Sequence, residues 1–211
     1  MPKPRYEDCV FLNVPFDSRY EPLMRAIVFT VHDCGLVARC AKEIEDGGQV
    51  RMEKICALMA ESQYGIHDIS RTGLDRKLRL PRFNMPFELG VFLGAQRFGT
   101  EEHKKKCCLI LDREKDRYRL FCSDLSGQEI RAHHNRAEDA VKGVRDWLSG
   151  QLVRRKIQVP GSARILDRYR RFYRALPAMC RNLQLDSKEL LYVEYINLVE
   201  AWLRANSWER S

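Results

Sequence analysis

The sequence predicts an α/β fold in which helices cover both faces of a parallel sheet. Over the first 150 residues, short apolar runs alternate with segments whose apolar residues recur at helical spacing. The connections between them are short, and several carry glycine or proline. This regular alternation is typical of a parallel sheet, because each crossover between parallel strands needs a helix-sized connection.

Five strands are predicted, at residues 9–14, 35–41, 64–70, 105–112 and 129–134. The first, CVFLNV, is a short apolar run ended by Pro15, as expected of a buried strand. Five such strands favour a flavodoxin-like sheet with strand order 2-1-3-4-5. The order itself rests on that analogy, because a single sequence does not determine which strands pair.

The helices between these strands are predicted at 20–35, 50–63, 85–99 and 136–150, and the segment 117–127 is compatible with a short helix. Glycines close three of them, at Gly35, Gly99 and Gly150. A basic loop, 70–82, separates the third strand from the third helix.

The C-terminal part has a different organisation. We predict an α/β domain at 1–152, a linker at 153–162 and a helical hairpin at 163–211, whose helices cover 163–183 and 186–207. Asp186 and Glu189 have the spacing of a capping box at the start of the second helix. That helix carries one broad apolar stripe: Leu190, Leu191, Tyr195, Leu198, Val199, Trp202 and Leu203. The first domain or another subunit must cover the stripe, so a homo-oligomer formed through the C-terminal helices is expected.

Charge and hydropathy restrict the partners. The formal net charge is +8, but residues 151–211 carry 12 basic against 6 acidic side chains and supply most of it. One basic tail without an RNP, zinc-finger or KH signature argues against nucleic acid as a partner. No apolar run of about 18 residues is present and the N-terminus lacks the apolar core of a signal peptide, so we expect no membrane contact and a cytoplasmic location.

The eight cysteines include no C-x-x-C pair, and several lie in apolar stretches such as KKCCLIL. We therefore expect reduced, buried thiols and no metal site. His133 and His134 are adjacent on the predicted fifth strand, where their side chains would point to opposite faces.

A binding site is expected where the strand order reverses, beyond the carboxyl ends of strands one and three. The loop after strand one offers Asn13, Pro15, Phe16 and Asp17. The region after strand three offers Asp68, Arg71, Arg82, Asn84, Met85 and Glu88. The basic side chains of this loop (Arg71, Arg76, Lys77, Arg79 and Arg82) are either a solvated surface or contacts for phosphate.

Two carboxylates are candidates for chemistry, and each has a structural alternative. With Met85 as N-cap and Pro86 as first helical residue, Glu88 would be the third and would cap backbone donors. The helix dipole would then keep it ionised, as stabilisation of an oxocarbenium-like sugar carbon requires. Asp68, at the end of strand three, could cap the strand or bind a sugar hydroxyl.

The stretches VFLNVPFD, GIHDIS and FNMPFELG resemble the nucleoside 2-deoxyribosyltransferase family and, more distantly, TIR-domain NAD hydrolases and TIR-like bacterial proteins of anti-phage defence. The resemblance covers about residues 8–148. It implies that Glu88 of the ELG stretch is the nucleophile and that Asp68 binds and protonates the base. Arg82 stands where these transferases often carry another aspartate, with Asn84 as the nearest polar substitute, which favours a phosphorylated substrate.

The leading hypothesis is thus an N-glycosidase acting on a nucleotide or NAD, with no cofactor beyond the substrate. The alternative is a non-catalytic TIR-like module that binds a nucleotide signal or a partner protein. A phospho-receiver domain is a third reading, but strand one lacks the paired acidic residues that Mg²⁺ would need. The fifth strand also ends in histidines where a receiver has lysine.

Overall fold

The computed structural model describes residues 3–43, 48–74 and 82–207. A five-stranded, all-parallel sheet has the order β2-β1-β3-β4-β5, which confirms the predicted flavodoxin-like α/β fold. The strands are β1 Cys9–Asn13, β2 Val37–Arg39, β3 Tyr64–Asp68, β4 Cys107–Asp112 and β5 Ile130–Ala132. The helices are α1 Glu21–Asp33, α2 Arg51–Ala60, α3 Asn84–Phe98, α4 Ala137–Leu152, α5 Ser162–Asn182 and α6 Tyr192–Ala205.

Alternate side chains of each strand enter different cores. Val10 and Leu12 of β1 belong to the large core formed with α1, α4, α5 and α6, whereas Phe11 packs with α2 and α3. The period-two alternation of a strand explains how one fully apolar run serves both faces.

Gly65 permits α3 to pack closely on β3. A Cβ atom at this position would lie 2.7 Å from His67 Nε2 and 2.9 Å from the ring of Phe92 on α3. Both neighbours are fully buried. A side chain at position 65 would therefore push α3 away from the sheet.

The C-terminal helices pack on α1 and complete the large core. The ring of Phe172 on α5 lies 5.3 Å from Phe29 on α1 and 5.9 Å from Trp202 on α6, measured between centroids. The Tyr195 hydroxyl donates to the Arg25 carbonyl of α1 at 2.9 Å. The centre of the apolar stripe on α6 is thus covered by this same chain.

A buried ion pair reinforces this contact. Arg168 of α5 donates from Nε to both carboxylate oxygens of Asp33 at the end of α1, at 3.0 and 3.1 Å. Burial raises the pKa of Asp33, and the neighbouring guanidinium opposes that shift. Removing Arg168 alone would leave the carboxylate buried without its charge partner.

The expected start of the last helix is wrong. Helix α6 begins at Tyr192, and the Glu194 carboxylate accepts a hydrogen bond from the Leu191 N–H. Asp186 instead closes a turn by accepting from the Lys188 N–H at 2.8 Å. Leu191 has no side-chain acceptor, so the start of α6 has only the glutamate half of a capping box, placed just before the apolar residues that pack on α1.

The two faces of the sheet are covered unequally. Between β4 and β5 the short helix expected at 117–127 is replaced by two 3-10 helices, Arg117–Leu120 and Ser123–Leu125. One face of the sheet has α1 and α4 with α5 and α6 packed outside them. The other face has α2, α3 and these two short turns.

The described residues bear on two expectations: that no helix crosses a membrane and that the cysteines are reduced. No helix among them is both long enough and apolar enough to cross a bilayer. All eight cysteines are free thiols, but only Cys9, Cys34, Cys40 and Cys180 are buried and have the expected packing role. Cys56 is exposed, and the other three are half-buried.

Candidate functional site: an arginine cleft at the strand-order reversal

An open cleft lies where the strand order reverses between β1 and β3. One part, about 320 Å³, is lined by Val14, Pro15, Phe16, Asp17, Arg51, Arg71, Arg82, Asn84 and Met85. An adjoining part, about 370 Å³, is lined by Asp17, Ser18, Arg19, Ser70, Arg71, Gly73, Leu74, Arg82 and Arg113. The two parts share Asp17, Arg71 and Arg82, and we call them together the arginine cleft. Seven of the eight residues predicted to bind substrate line it.

The charge of this cleft is strongly positive. Its lining includes five arginines, at 19, 51, 71, 82 and 113, against the single carboxylate of Asp17. Guanidinium groups bind phosphate through paired, charge-assisted hydrogen bonds. The cleft therefore has the chemistry of a phosphate-binding site. Arg76, Lys77 and Arg79 of the predicted basic loop lie outside the described residues.

Asp17 and Arg71 connect the two loops of the cleft. Asp17 Oδ1 accepts from the backbone N–H groups of Arg19 and Tyr20, which fixes the turn into α1. The same oxygen lies 3.3 Å from Arg71 in the loop after β3. Arg71 Nε is buried and has no hydrogen-bond partner among the residues described, whereas the Arg71 side chain as a whole is 36% exposed.

Asn13, also predicted to bind substrate, lies beneath the cleft and does not line it. Its Nδ2 group donates to the Met85 carbonyl at 2.9 Å and approaches His67 Nδ1 at 3.1 Å. Burial lowers the pKa of His67 to about 3, so this imidazole is neutral near pH 7 and can accept from the amide. Asn13 thereby ties the first turn of α3 to β1 and positions Met85 at the cleft wall.

The capping interpretation of Glu88 is wrong. Helix α3 begins at Asn84, two residues earlier than Pro86, so Glu88 is the fifth helical residue and lies beyond the first turn. Its side chain is buried, and within the described chain no group forms a hydrogen bond with the carboxylate. Burial raises the pKa of Glu88, and the positive charge of Arg51 partly opposes this shift. From the sequence we expected the opposite, that the helix dipole would stabilise the ionised form.

Glu88 is positioned one helical turn from the cleft. Residues four apart lie on the same side of a helix, so Glu88 follows Asn84, which lines the cleft, and precedes Phe92 in the core. Glu88 itself is not among the lining residues. The predicted nucleophile is therefore a largely buried carboxyl group that lies one helical turn from Asn84 and outside the lining of the arginine cleft.

Asp68 belongs to a buried polar network at the end of β3. Its side chain is fully buried and accepts from the Tyr20 hydroxyl at 2.5 Å and from the Ser70 N–H at 2.8 Å. His133 Nε2 lies 3.0 Å from Asp68 Oδ2, although its N–H is not aligned for a hydrogen bond. The bond from Ser70 is the strand-end cap considered from the sequence, and Asp68 does not contact the cleft.

A second buried aspartate lies at the same edge of the sheet. Asp112 ends β4 and pairs with Arg117, whose Nε–Oδ1 distance is 2.8 Å. Arg117 also donates to the Ile69 carbonyl at 2.8 Å and to the Thr72 hydroxyl at 3.2 Å. It thus fixes the segment that carries Ser70 and Arg71 against the end of β4. Burial raises the pKa of Asp112, an effect that Arg117 opposes.

The expected placement of the two histidines is wrong. They follow β5 and are not part of it; His133 is fully buried, whereas His134 has a positive φ of 49° and an exposed side chain. His133 Nδ1 accepts from the Asn135 N–H, which leaves the proton on the Nε2 nitrogen that faces Asp68. Across the described ranges, no three His, Cys, Asp or Glu side chains are arranged to hold a metal ion.

Several residues of this region were not predicted. Asp112 and His67 could have been predicted from the sequence, because both are polar residues at the carboxyl end of an apolar strand, as Asp68 is. Arg51 and Arg117 could not have been predicted, since an isolated arginine at a helix start or in a loop is common on protein surfaces. Tyr20 was assigned to the first helix, and its contact with Asp68 depends on tertiary structure alone.

The network around Asp68 leads to a stability prediction. Tyr20→Phe removes one donor from a buried carboxylate, and we expect the free energy of unfolding to fall by about 1.5–3 kcal/mol. Urea denaturation at pH 7 measures this. Tyr173→Phe is the matched control, because Tyr173 is 55% exposed. Equal, small losses in both variants would show that the Tyr20 hydroxyl does not support Asp68.

Comparison of the chain with models of known protein families and with curated protein sequences found no match.

Proposed function

We propose that this chain is an N-glycosidase that cleaves the base–ribose bond of a phosphorylated nucleoside, either a nucleotide or NAD. The observation that carries the proposal is the arginine cleft at the strand-order reversal. It brings together residues predicted from their positions after strands one and three, and its charge suits phosphate. The glycosidase chemistry itself rests on the resemblance to nucleoside 2-deoxyribosyltransferases and TIR-like NAD hydrolases. The same resemblance supports a role in anti-phage defence.

In the proposed reaction, the bond between C1′ of the ribose and the base nitrogen breaks, and its electron pair leaves with the base. The ionised carboxylate of Glu88 stabilises or attacks the positively charged C1′, and water or another base then accepts the sugar. With NAD, the nicotinamide departs neutral, because its ring nitrogen is cationic in the substrate, and it needs no proton donor.

The surroundings of Glu88 support this role. A carboxylate without hydrogen-bond donors in a desolvated site interacts more strongly with a developing positive charge than a solvated one does. The ribose must reach Glu88 past Asn84 and Met85, which line the cleft one turn earlier on α3. A protonated Glu88 is not a nucleophile, so the raised pKa predicts that the rate increases with pH as this carboxyl ionises.

For Asp68 we propose a positioning role in place of base protonation. Its oxygens accept from Tyr20 and Ser70 in a fully buried site, and they have no path to a base in the cleft. Through Ser70, Asp68 sets the course of the loop that carries Arg71.

The proposal is tested by incubating the full chain with NAD, with nucleotides and with the corresponding nucleosides. Free base is then quantified by chromatography over a range of protein concentrations. We expect release from the phosphorylated substrates and much slower release from the nucleosides. Absence of release from every substrate, at every protein concentration, would remove the enzymatic proposal.

Arg71 gives a sharper prediction. We expect Arg71→Gln to weaken binding of phosphorylated ligands by about tenfold or more, as loss of one charge-assisted hydrogen bond implies. Binding of the matching nucleoside should change little, and calorimetry measures both. Arg119→Gln is the control, since Arg119 is 63% exposed and lies outside the cleft lining. Equal losses for nucleotide and nucleoside would contradict a phosphate-binding role.

One observation favours a second candidate, a non-catalytic module that binds a nucleotide signal. Glu88 is buried and does not line the cleft, so the cleft could bind a ligand without contact to a catalytic carboxylate. This candidate predicts tight binding without turnover and an affinity that Glu88→Gln leaves unchanged. It is excluded if base release depends on Glu88.

A further inference from the structure

The outward side of α3 carries an exposed apolar stripe. Phe83, Phe87 and Phe98 are 55%, 61% and 86% exposed, and Gly90 and Gly94 lie between them. The successive spacings of four, three, four and four residues place all five on one side of a helix. We call these five residues the α3 face.

The exposed rings of the α3 face have an area typical of an interaction site. With roughly 200 Å² per ring, the three phenylalanines leave about 400 Å² of apolar surface in water. The largest apolar patch of a monomer is about 300–600 Å² and often marks an interaction site. Between β4 and β5 the chain forms short 3-10 turns and no α-helix.

The α3 face has large side chains at its ends and a depression in its middle. A Cβ atom added at Gly90 or Gly94 would meet nothing within 4 Å, so both positions are open to an approaching group. Glycine at the centre of a helix is unfavourable by about 1 kcal/mol relative to alanine. The two glycines therefore lower the stability of α3 and leave space on its surface for another group.

We propose that the α3 face binds a second copy of this chain, with the two α3 helices antiparallel. A two-fold axis between Gly90 and Val91 brings Phe87 of each copy into the depression at the partner's Gly94. The same axis places Phe83 opposite the partner's Phe98. One stripe thus supplies both the protruding and the receiving groups, as an isologous interface requires.

Charge and area fit this occupant. Arg97 lies in the last turn of α3, and the two-fold axis places it opposite the partner's Asn84. The two copies of Arg97 therefore do not face each other. A standard interface buries about 800 Å² per partner, of which the three rings supply about half. The dimer is accordingly weak and concentration-dependent.

Sedimentation equilibrium of the full chain tests the proposal over a concentration series. The mass is expected to rise from 24.8 kDa toward twice that value. Phe87→Glu places an unpaired carboxylate in the interface and should weaken association at least tenfold. Leu183→Glu is the matched control, because Leu183 is also 61% exposed but lies at the end of α5. A monomer at all concentrations, or equal effects of the two variants, would overturn the proposal.

Two further variants separate the interface from folding and fix its orientation. A Cβ atom at Gly94 would meet nothing within 4 Å, and glutamine has the better helix propensity, so Gly94→Gln should keep the fold and still abolish the dimer by filling the depression. Phe83→Lys and Phe98→Glu should each weaken the dimer, and the double variant should recover part of the loss. Dimerisation unaffected by Gly94→Gln, or no recovery in the double variant, would refute the antiparallel pairing. These masses do not depend on whether the chain cleaves nucleotides.

Discussion

Glu88→Gln is expected to reduce release of free base from nucleotides or NAD by about a thousandfold or more, because the variant lacks the carboxylate that meets C1′. Glutamine keeps the shape of the side chain and cannot ionise. Steady-state rates with both substrates, at saturating concentration and matched protein, measure the effect. Equal release by the wild type and the variant would show that Glu88 takes no part in the reaction.

The same substitution has an expected effect on stability that identifies a folded but inactive variant. Burial raises the pKa of Glu88 above its ordinary value of 4.5. Folded protein therefore holds this proton at pH values where the unfolded chain has lost it, and Glu88 makes the protein less stable as pH rises through that range. Glu88→Gln should thus be at least as stable as the wild type at pH 7, and its relative advantage should disappear at pH 4.

Urea denaturation at the two pH values measures this difference. Glu101→Gln is the matched control, since Glu101 is 86% exposed, pairs with Lys104 outside the cleft lining and should keep the activity. A Glu88→Gln protein that is less stable at pH 7 would mean that the carboxylate has a stabilising partner after all. Its loss of activity would then be no argument for catalysis.

Phe172→Ala is expected to lower the free energy of unfolding by about 3–5 kcal/mol. Phe172 is fully buried, and its ring contacts Phe29 of α1, Trp202 and Tyr195. Truncation leaves a cavity where α5, α6 and α1 meet. The neighbouring Tyr173→Ala, at a position that is 55% exposed, should cost less than about 1 kcal/mol.

The shape of the unfolding transition is as informative as its midpoint. One hydrophobic core contains residues of α1, α4, α5 and α6, so the C-terminal helices and the α/β domain should unfold together. Circular dichroism and tryptophan fluorescence should therefore report one coincident transition in the wild type and in Phe172→Ala. Two separate transitions would show that the hairpin predicted at 163–211 behaves as an independent unit.

Helix α6 packs within its own chain, and this affects how two copies could assemble. Four residues of the predicted stripe, Tyr195, Leu198, Val199 and Trp202, are buried within the chain. The stripe therefore no longer supports a homo-oligomer formed through the C-terminal helices. The exposed phenylalanines of α3 now support a different interface, which the sequence did not suggest because α3 reads as apolar on every side.

The sequence by itself determined the class of fold, the strands and most of the cleft residues. Apolar runs ending in polar residues identify strands and their carboxyl ends, because a buried strand has a simple local signature. Once the strand order is assumed, Asp17, Arg71, Arg82 and Asn84 fall at one edge of the sheet. These inferences hold because a parallel α/β fold turns chain order into spatial order.

Only the tertiary structure decided which of those side chains meet the cleft. Asn13, Asp68 and Glu88 were predicted to contact the substrate. All three side chains are instead buried, and none of them lines the cleft. The position of Glu88 depends on the start of α3, which lies two residues before Pro86. The environment of Asp68 depends on Tyr20, which belongs to a different part of the chain. Burial and the resulting pKa shifts arise from contacts between elements distant in the chain, and no local pattern records them.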